Sequence, residues 1–461
     1  MKHIFHPSSA FHFLSNRATD RGYILHARGK KGGLVNCDAL DLLVSDDPAW
    51  QSDPAYDDFL EKVVSAGWLT ADPAQAKPVV RFVDRPVHLQ RVQYEINLVC
   101  NLECAHCYCS SSPRAPHGQS TEFVLDVVAQ AAKLGVLNFD VTGGEPLVRA
   151  DALEILRSIG DHGMIPGLYT NGVLVNHEKA RALRDAGVVW AQTSLDARTP
   201  ALHDEIRGKK GAFAKTVRAV KEMQDVGIDV RVAVCLNRRN AHEVREIVDF
   251  LRNDLKVTFG LDRVIPAGRG CSAPEPLALP NEEYYAIMQR YFGGTKVAAK
   301  GCDAIGLGGA SDKINPGCGV GASYLFIKHD GRAALCPTLT EAESPDFVQA
   351  DLKTMSLEEA WEAHPTFTAY RGMQCENAQV CPSGRKCGGG CRSNAYLLHG
   401  RLDSPDEVHC NIYKNPETTY RPMLLEYEEM RREGKLPARR TSAPSSAAAL
   451  RMPRRLLKVV G

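Results

Sequence analysis

Between residues 93 and 265 the chain alternates between two hydrophobic periods, and this alternation limits the fold more than any other feature. Short β-prone runs fall at 93–99, 137–142, 166–170, 189–195, 229–236 and 257–265. Helical patterns near 121–134, 150–162, 177–187, 212–226 and 241–252 lie between them. The first helix carries Phe123, Val124, Val127, Val128, Ala131 and Leu134 on one face, with Ser120 placed as its N-cap. Several helices run into glycine (Gly135, Gly163, Gly187, Gly227), as C-terminal caps do. Strands that alternate with helices build a parallel sheet with helical crossovers. Six such strands predict an α/β fold, a partial (β/α)6 TIM-like barrel open on one side, over 90–275. Chemistry in such barrels sits at the C-terminal ends of the strands.

Cysteines stand at that point. Cys100, Cys104 and Cys107 form C-x3-C-x2-C in the run CNLECAHC, directly after the first strand. Three thiolates cannot complete the four-cysteine set that holds a [4Fe–4S] cluster. A cluster held by three keeps one iron open, and an open iron can bind a substrate or cofactor. Two other uses of the triplet stay open on this segment alone. Cys104 and Cys107 with Cys100 and His106 could imitate a zinc site, and C-x-x-C also serves thiol redox chemistry.

Composition narrows the setting. The 461 residues suffice for two to four domains, and the net charge of +1 supplies no field that would draw the chain to nucleic acid or membrane. The chain has no apolar run long enough to span a bilayer, and MKHIFHPSSAFHF lacks the layout of a signal peptide. A cytoplasmic location follows as an expectation. There, fifteen cysteines mean metal or cluster ligands far more often than disulfides. Eight of them lie between Cys302 and Cys410: Cys302, Cys318, Cys336, Cys375, Cys381, Cys387, Cys391 and Cys410. That number suits two fully ligated clusters, although structural zinc would also use eight thiolates. Cys37, Cys109, Cys235 and Cys271 read as small buried hydrophobes.

The triplet resembles the signature of the radical S-adenosylmethionine (SAM) superfamily, with His106 where that family commonly has an aromatic ring. Four further segments fit its cofactor site. Thr142-Gly143-Gly144-Glu145-Pro146 ends the second strand, Thr170-Asn171-Gly172 the third, and Ser194-Leu195-Asp196 the fourth. Arg207 in HDEIRG is a partner for a carboxylate. The resemblance implies that His106, Gly143, Gly144, Glu145, Asn171, Ser194, Asp196 and Arg207 bind SAM at an iron left open by the three cysteines. One electron would then split SAM into methionine and a 5′-deoxyadenosyl radical, which takes a hydrogen atom from the substrate. No Ser-His-Asp array or paired carboxylate is required, and none with convincing spacing is present in the sequence.

Residues 318–410 resemble the SPASM extension of radical SAM enzymes. Cys318 is followed by Gly331-x4-Cys336, then Cys381-x5-Cys387, Cys387-x3-Cys391 and a final Cys410. The departure is Cys375-x5-Cys381, three residues longer than the usual spacing. The resemblance implies one auxiliary cluster on Cys318, Cys336 and Cys391, with Cys302 as a possible fourth ligand. The other would use Cys375, Cys381, Cys387 and Cys410. It also implies an electron donor of flavodoxin or ferredoxin type. Among SPASM enzymes a peptide or protein substrate that is oxidised or cross-linked is the leading expectation. The alternatives are small-molecule cofactor biosynthesis of tetrapyrrole or quinone type, and a non-catalytic iron–sulfur carrier or zinc-stabilised binding protein.

Two flanking regions complete the organisation. Residues 1–85 read as a small α+β, winged-helix-like unit. A strand at Tyr23–Ala27 precedes a turn at Lys30–Gly33 and a helix around Ala39–Val44, and a second helix begins at Asp53-Pro54 and stops at Gly67. Such a unit suits peptide recognition, although it could also be an elaboration packed on the barrel. His3, His6 and His12, irregularly spaced among phenylalanines, read as a partly buried edge segment and not a metal site. The cysteine-rich extension covers 300–420. Residues 435–461 carry seven Lys or Arg and no acid, which reads as a flexible basic tail.

Overall fold

The computed structural model describes residues 4–26, 32–75, 78–265, 267–272, 277–280, 319–339, 349–377 and 390–406, with the single positions 283, 284, 286, 287 and 290. Cys302, Cys318, Cys381, Cys387, Cys410 and the basic tail lie outside the described residues.

The six expected barrel strands are present. They are Arg91–Glu95, Asn138–Thr142, Ile165–Tyr169, Trp190–Ser194, Asp229–Leu236 and Thr258–Arg263, paired in parallel in chain order. Alternate strand residues such as Val92, Tyr94, Phe139, Val141, Val232 and Val234 turn outward and are fully buried under the helices. Each such side chain contributes about 1.5–3 kcal/mol on burial. The first helix is Thr121–Lys133, with Ser120 Oγ accepting from Phe123 N–H at 3.3 Å. A further helix, Pro200–Arg207, had no counterpart in the hydrophobic pattern. The expected helix 241–252 divides into Ala241–Glu243, Val244–Asp249 and a wider π turn at Phe250–Asp254.

The C-terminal extension joins the barrel sheet. Its strand Tyr324–Ile327 pairs in parallel with Arg91–Glu95, on the side away from the second barrel strand. Arg332–Ala334 and Ala350–Asp351 then continue the sheet antiparallel to nine strands in all. All four residues Tyr324–Ile327 are buried, as a strand covered on both faces requires. Gly331, at φ +85°, closes the turn between the first two of these strands, a backbone conformation that favours glycine. Helix Leu357–Ala363 rests on the first barrel helix, where fully buried Trp361 donates to the Val87 carbonyl at 3.0 Å.

The N-terminal unit is a four-stranded sheet in the order Gly32–Val35, Arg21–His26, Phe11–Asn16, Val79–Val83. The structure corrects the expectation of an edge segment around His12. Phe11–Asn16 is an interior strand, buried along its whole length, because both of its faces meet a core. Phe11 and Phe13 face Leu40 and Leu43 of helix Cys37–Val44. Leu14 on the opposite face packs with Tyr23 and Leu25 against Leu137, Ile165, Val189 and Trp190. Those residues start barrel strands, so the unit closes the barrel floor, opposite the strand ends that carry the cysteines.

Candidate active site at the barrel mouth

Cys100 and Cys104 are buried beside Leu102, Val173 and Ala212, and Cys107 packs against the same group. Three hydrogen-bond donors point at the sulfurs. Asn171 Nδ2 lies 3.7 Å from Cys100 Sγ, Arg207 Nη1 lies 3.7 Å from Cys104 Sγ, and Ser111 N–H donates to Cys107 Sγ at 3.3 Å. Donors around sulfur suit thiolates and sulfides. Among the described residues no three His, Cys, Asp or Glu side chains converge on a point that could hold one metal ion. Cys100, Cys104 and Cys107 lie in one side-chain cluster with a donor near each sulfur, as a cubane with a different iron for each thiolate would use. The residues present therefore fit a cluster. Burial pushes the Cys100 thiol up to about 12 and also raises Cys104. Cys107 falls to about 6, chiefly through its contact with Cys109 Sγ at 3.7 Å. Bound iron would take the place of these protons.

The cysteine loop is clamped from the end of helix Pro200–Arg207 and from the segment after the sixth strand. Ala105 N–H donates to Ile206 O at 2.9 Å, and Gly208, at φ +68°, has no room for a Cβ, which would lie 2.6 Å from Glu103 O. After the sixth strand, Arg269 Nε donates to Cys104 O at 2.8 Å and its Nη2 to Ser111 O at 2.7 Å. The sequence reading missed this arginine. Its one signal was position, in the IPAGRG run just past a barrel strand.

The glycine pair sets the packing of the second strand's end. A Cβ on Gly143 would lie 2.6 Å from Asn97 O, and one on Gly144 would lie 2.4 Å from Leu98 O. The missing side chains let the second strand's end press against the segment leading into Cys100. Gly144 N–H and Glu145 N–H donate to Asn97 O and Val99 O at 2.8 and 2.9 Å.

Glu145 is fully buried and ties this turn to the third strand's end. Its carboxylate accepts from Thr170 Oγ1 at 2.8 Å, Asn171 N–H at 2.7 Å and Leu147 N–H at 3.0 Å. Burial outweighs these bonds and raises its pKa to about 7.

Asp196 is the hub at the fourth strand. Arg207 Nε lies 2.7 Å from its Oδ2, and Cys235 N–H donates to its Oδ1 at 2.9 Å. Burial opposes the charge of Asp196, but Arg207 and the neighbouring histidines outweigh it and hold the carboxyl below its ordinary value. His106 Nε2 stands 3.7 Å from the same oxygen, while burial lowers His106 to about 4 and keeps it neutral at neutral pH. Arg207, expected to meet a cofactor carboxylate, thus already has a protein carboxylate. Ser194 lies half-buried at its strand end.

In the extension, Cys336 follows the strand Arg332–Ala334, and Cys391 precedes helix Arg392–His399. Burial pushes the Cys336 thiol up to about 11, and the neighbouring Cys391 adds to this. Cys391 is thus near enough to act on Cys336 electrostatically. Cys375 lies on the turn after helix Pro365–Gly372. Of the four cysteines read as buried bystanders, Cys37 is buried, Cys109 and Cys235 are half-buried, and Cys271 is exposed. Cys271 departs from expectation because its short helix Arg269–Ser272 buries none of its residues.

A parallel barrel with a three-thiol volume at its mouth and glycine-backed strand ends defines a radical SAM enzyme. The radical SAM superfamily model matches residues 94–251, and this chain belongs to that superfamily. A second model, the SPASM iron–sulfur cluster-binding domain, matches residues 318–388, so the chain is a radical SAM oxidoreductase with a SPASM extension. Its cofactors are iron–sulfur clusters and SAM. Mycofactocin maturase MftC of Mycobacterium ulcerans is 29% identical over 75% of this chain and 94% of its own. AdoMet-dependent heme synthase of Methanosarcina barkeri is 25% identical over 70% of this chain and 96% of its own. Among solved structures, SuiB of Streptococcus suis bound to precursor peptide SuiA superposes with a TM-score of 0.62 at 15% identity, covering 88% of this chain and 99% of that one. No helix among the described residues is long and apolar enough to cross a membrane.

Proposed function

We propose that this enzyme oxidatively modifies or cross-links a peptide or protein substrate. The observation that carries the proposal is structural continuity. The hairpin bearing Cys336 is hydrogen-bonded, through Tyr324–Ile327, to the barrel strand that leads into Cys100. Cys336 and Cys100 therefore follow strands of one sheet, which suits an oxidation that must remove an electron as well as a hydrogen atom. The similarity to a peptide maturase along nearly its whole length supports the choice of a peptide.

In this proposal Cys100, Cys104 and Cys107 hold the SAM-binding cluster. Gly143, Gly144, Asn171 and Ser194 hold SAM on the rim. Glu145 fixes the rim turns to each other, and the Asp196–Arg207 pair with His106 positions Cys104. When bound, the cluster and SAM supply one-electron cleavage to a 5′-deoxyadenosyl radical. The protein's part is to hold the substrate C–H at that site and exclude water. Cys318, Cys336 and Cys391, with or without Cys302, hold one auxiliary cluster, and Cys375, Cys381, Cys387 and Cys410 hold the other. Residues 1–85 are a candidate recognition unit. A cytoplasmic setting and a flavodoxin- or ferredoxin-type donor complete the proposal, since the thiols must stay reduced.

The test is anaerobic reconstitution with reductant and SAM. Formation of 5′-deoxyadenosine and its loss in Cys104→Ala support the assignment; product persisting in that variant removes the triplet from the mechanism. Iron near about twelve per chain is expected for three four-iron clusters, and about four overturns the auxiliary assignment. A second reading, maturation of a tetrapyrrole, is favoured by the similarity to a heme synthase. Turnover of a tetrapyrrole, with no peptide modified, would establish it.

A further inference from the structure

The barrel interior divides into two tiers. Side chains of the lower tier bond to one another, although buried Asp140 Oδ1 accepts no bond. Arg91 Nε donates to Asp140 Oδ2 at 2.5 Å and its Nη2 to Tyr169 OH at 2.8 Å, while Tyr324 OH donates to Gln93 Oε1 at 2.6 Å. These groups seal the floor.

The upper wall on the fifth and sixth strands is different. Along Asp229–Leu236 every second residue is fully buried toward the helices, and Arg231, Ala233 and Cys235 between them stay half-open toward the interior. On the sixth strand Leu261 is buried outward, while Gly260 and Asp262 face inward beside Ala233 and Cys235. The Arg231 guanidinium lies over Gly260, where a Cβ would stand 2.8 Å from its Nη2. Ala233 and Gly260 are the small residues of this wall at the level of Ser194, and the Arg231 side chain uses the space over Gly260. Asp262 stands one tier above, and its side chain is exposed to this space.

Among the described residues, neither the Arg231 nor the Asp262 side chain makes a hydrogen bond or ion pair. They influence each other electrostatically, and the Asp262 carboxyl is raised by its burial and by Asp196. Both side chains are open to this space, so each keeps bonding capacity that a ligand entering it can take up. A ligand that supplies an acceptor to one and a donor to the other uses both. A peptide group does both within one rigid unit, and Arg231 and Asp262 present the complementary pair.

We propose that Arg231 and Asp262 grip the backbone of the substrate peptide, Arg231 donating to a carbonyl and Asp262 accepting from an N–H. This rests on the peptide assignment above and deepens it. The pair lies on the wall that continues from Ser194 and from Cys235, whose N–H meets Asp196. A backbone held there is fixed relative to the SAM rim, so the pair would select which residue's C–H is presented.

The test starts from the reconstituted, SAM-loaded full-length enzyme and a displayed library of randomised short peptides. Enriched peptides are resynthesised and their affinities measured for wild type, Asp262→Asn and Arg231→Gln. Either substitution should weaken binding by roughly tenfold or more, as loss of a bond to a charged group does. SAM affinity on the same preparations should change far less. Single N-methylation along the peptide should find one amide whose loss in the wild type matches that of Asp262→Asn, with the two losses not adding. Peptide affinity within about twofold of wild type in both variants, against an error of a few tenths of a kcal/mol, overturns the pair's role. So does an N-methyl scan with no sensitive amide, a measurement that needs no variant to fold. Equal loss of SAM and peptide binding marks a structural role and also overturns it. A wild type that enriches no peptide refutes the peptide assignment itself, and the inference with it.

Discussion

Arg207 stands between Asp196 and Cys104, its Nε 2.7 Å from Asp196 Oδ2 and its Nη1 3.7 Å from Cys104 Sγ. All three side chains are buried. One guanidinium thus neutralises a carboxylate at the fourth strand's end and aims a donor at a candidate cluster thiolate. Replacing it with methionine leaves Asp196 charged, buried and unpaired, a change worth about 3–5 kcal/mol. Arg207→Met should lose that much stability in denaturant titrations, and adding Asp196→Asn should recover part of it. The reconstituted Arg207→Met cluster should also have a lower reduction potential, because hydrogen bonds to sulfur raise it. A redox titration followed by electron paramagnetic resonance reads that shift; an unchanged potential would show that Arg207 serves the fold alone.

Gly144→Ala tests the close approach at the second strand's end. The new Cβ would lie 2.4 Å from Leu98 O and 2.6 Å from Val99 O, both backbone atoms. The turn must then move away from the segment that leads into Cys100. A cost of about 1–3 kcal/mol in stability is expected from such overpacking. Calorimetry on the reconstituted protein should show SAM affinity falling by roughly tenfold or more, since one tenfold step is about 1.4 kcal/mol. Wild-type affinity in this variant would remove the turn from the SAM site.

The barrel was legible because its strands and helices carry opposite periods, and the rim residues were legible because short motifs ended the strands. What the sequence hid was who partners whom. Arg207 read as a ligand for a carboxylate and found Asp196. Gly143 and Gly144 read as SAM-binding positions, and nothing local reported their close approach to the Asn97–Val99 backbone. Phe11–Asn16 read as an edge because nothing local shows that a second core lies under its other face. The pairing of Tyr324–Ile327 with Arg91–Glu95 joins residues more than two hundred positions apart, a separation no local pattern reports.

Glu145 makes stability depend on pH in a specific window. Its folded carboxyl titrates near 7 against an ordinary value of 4.5, so between those values the native state holds more protons than the unfolded chain. Its contribution is therefore complete below pH 4.5, declines as pH rises to 7 and is level above. The decline amounts to about 3 kcal/mol, at 1.36 kcal/mol per unit. Buried His12, His88 and His203, lowered to about 4, act oppositely, losing stability as pH falls. The stability difference between wild type and Glu145→Gln isolates the glutamate. That difference should shift against the wild type by about 3 kcal/mol on going from acid to neutral pH. Parallel profiles for the two proteins would rule out a raised Glu145.

Glu95 ends the first barrel strand, and His329 sits in the turn of the extension's first hairpin. Glu95 Oε1 meets His329 Nδ1 at 2.9 Å, and both side chains are largely buried. This contact fixes the tip of the hairpin that carries Cys336 to the strand that leads into Cys100. Backbone pairing, burial and the Tyr324–Gln93 bond hold the strand Tyr324–Ile327, and this side-chain bond adds to the contacts that hold the tip. Backbone pairing alone leaves the tip free to lift, and lifting would change the relation between the auxiliary and SAM-cluster thiols. His329→Ala strands a buried acceptor, which costs about 1–3 kcal/mol. His329→Gln keeps a donor within reach and should cost less. Native-state hydrogen exchange reads the local effect: amides of 324–327 and 332–334 should exchange faster in His329→Ala by the factor that the lost stability implies, with the rest of the barrel unaffected. Faster exchange everywhere would mean that the bond supports the whole barrel, and unchanged exchange that the backbone pairing alone carries the hairpin.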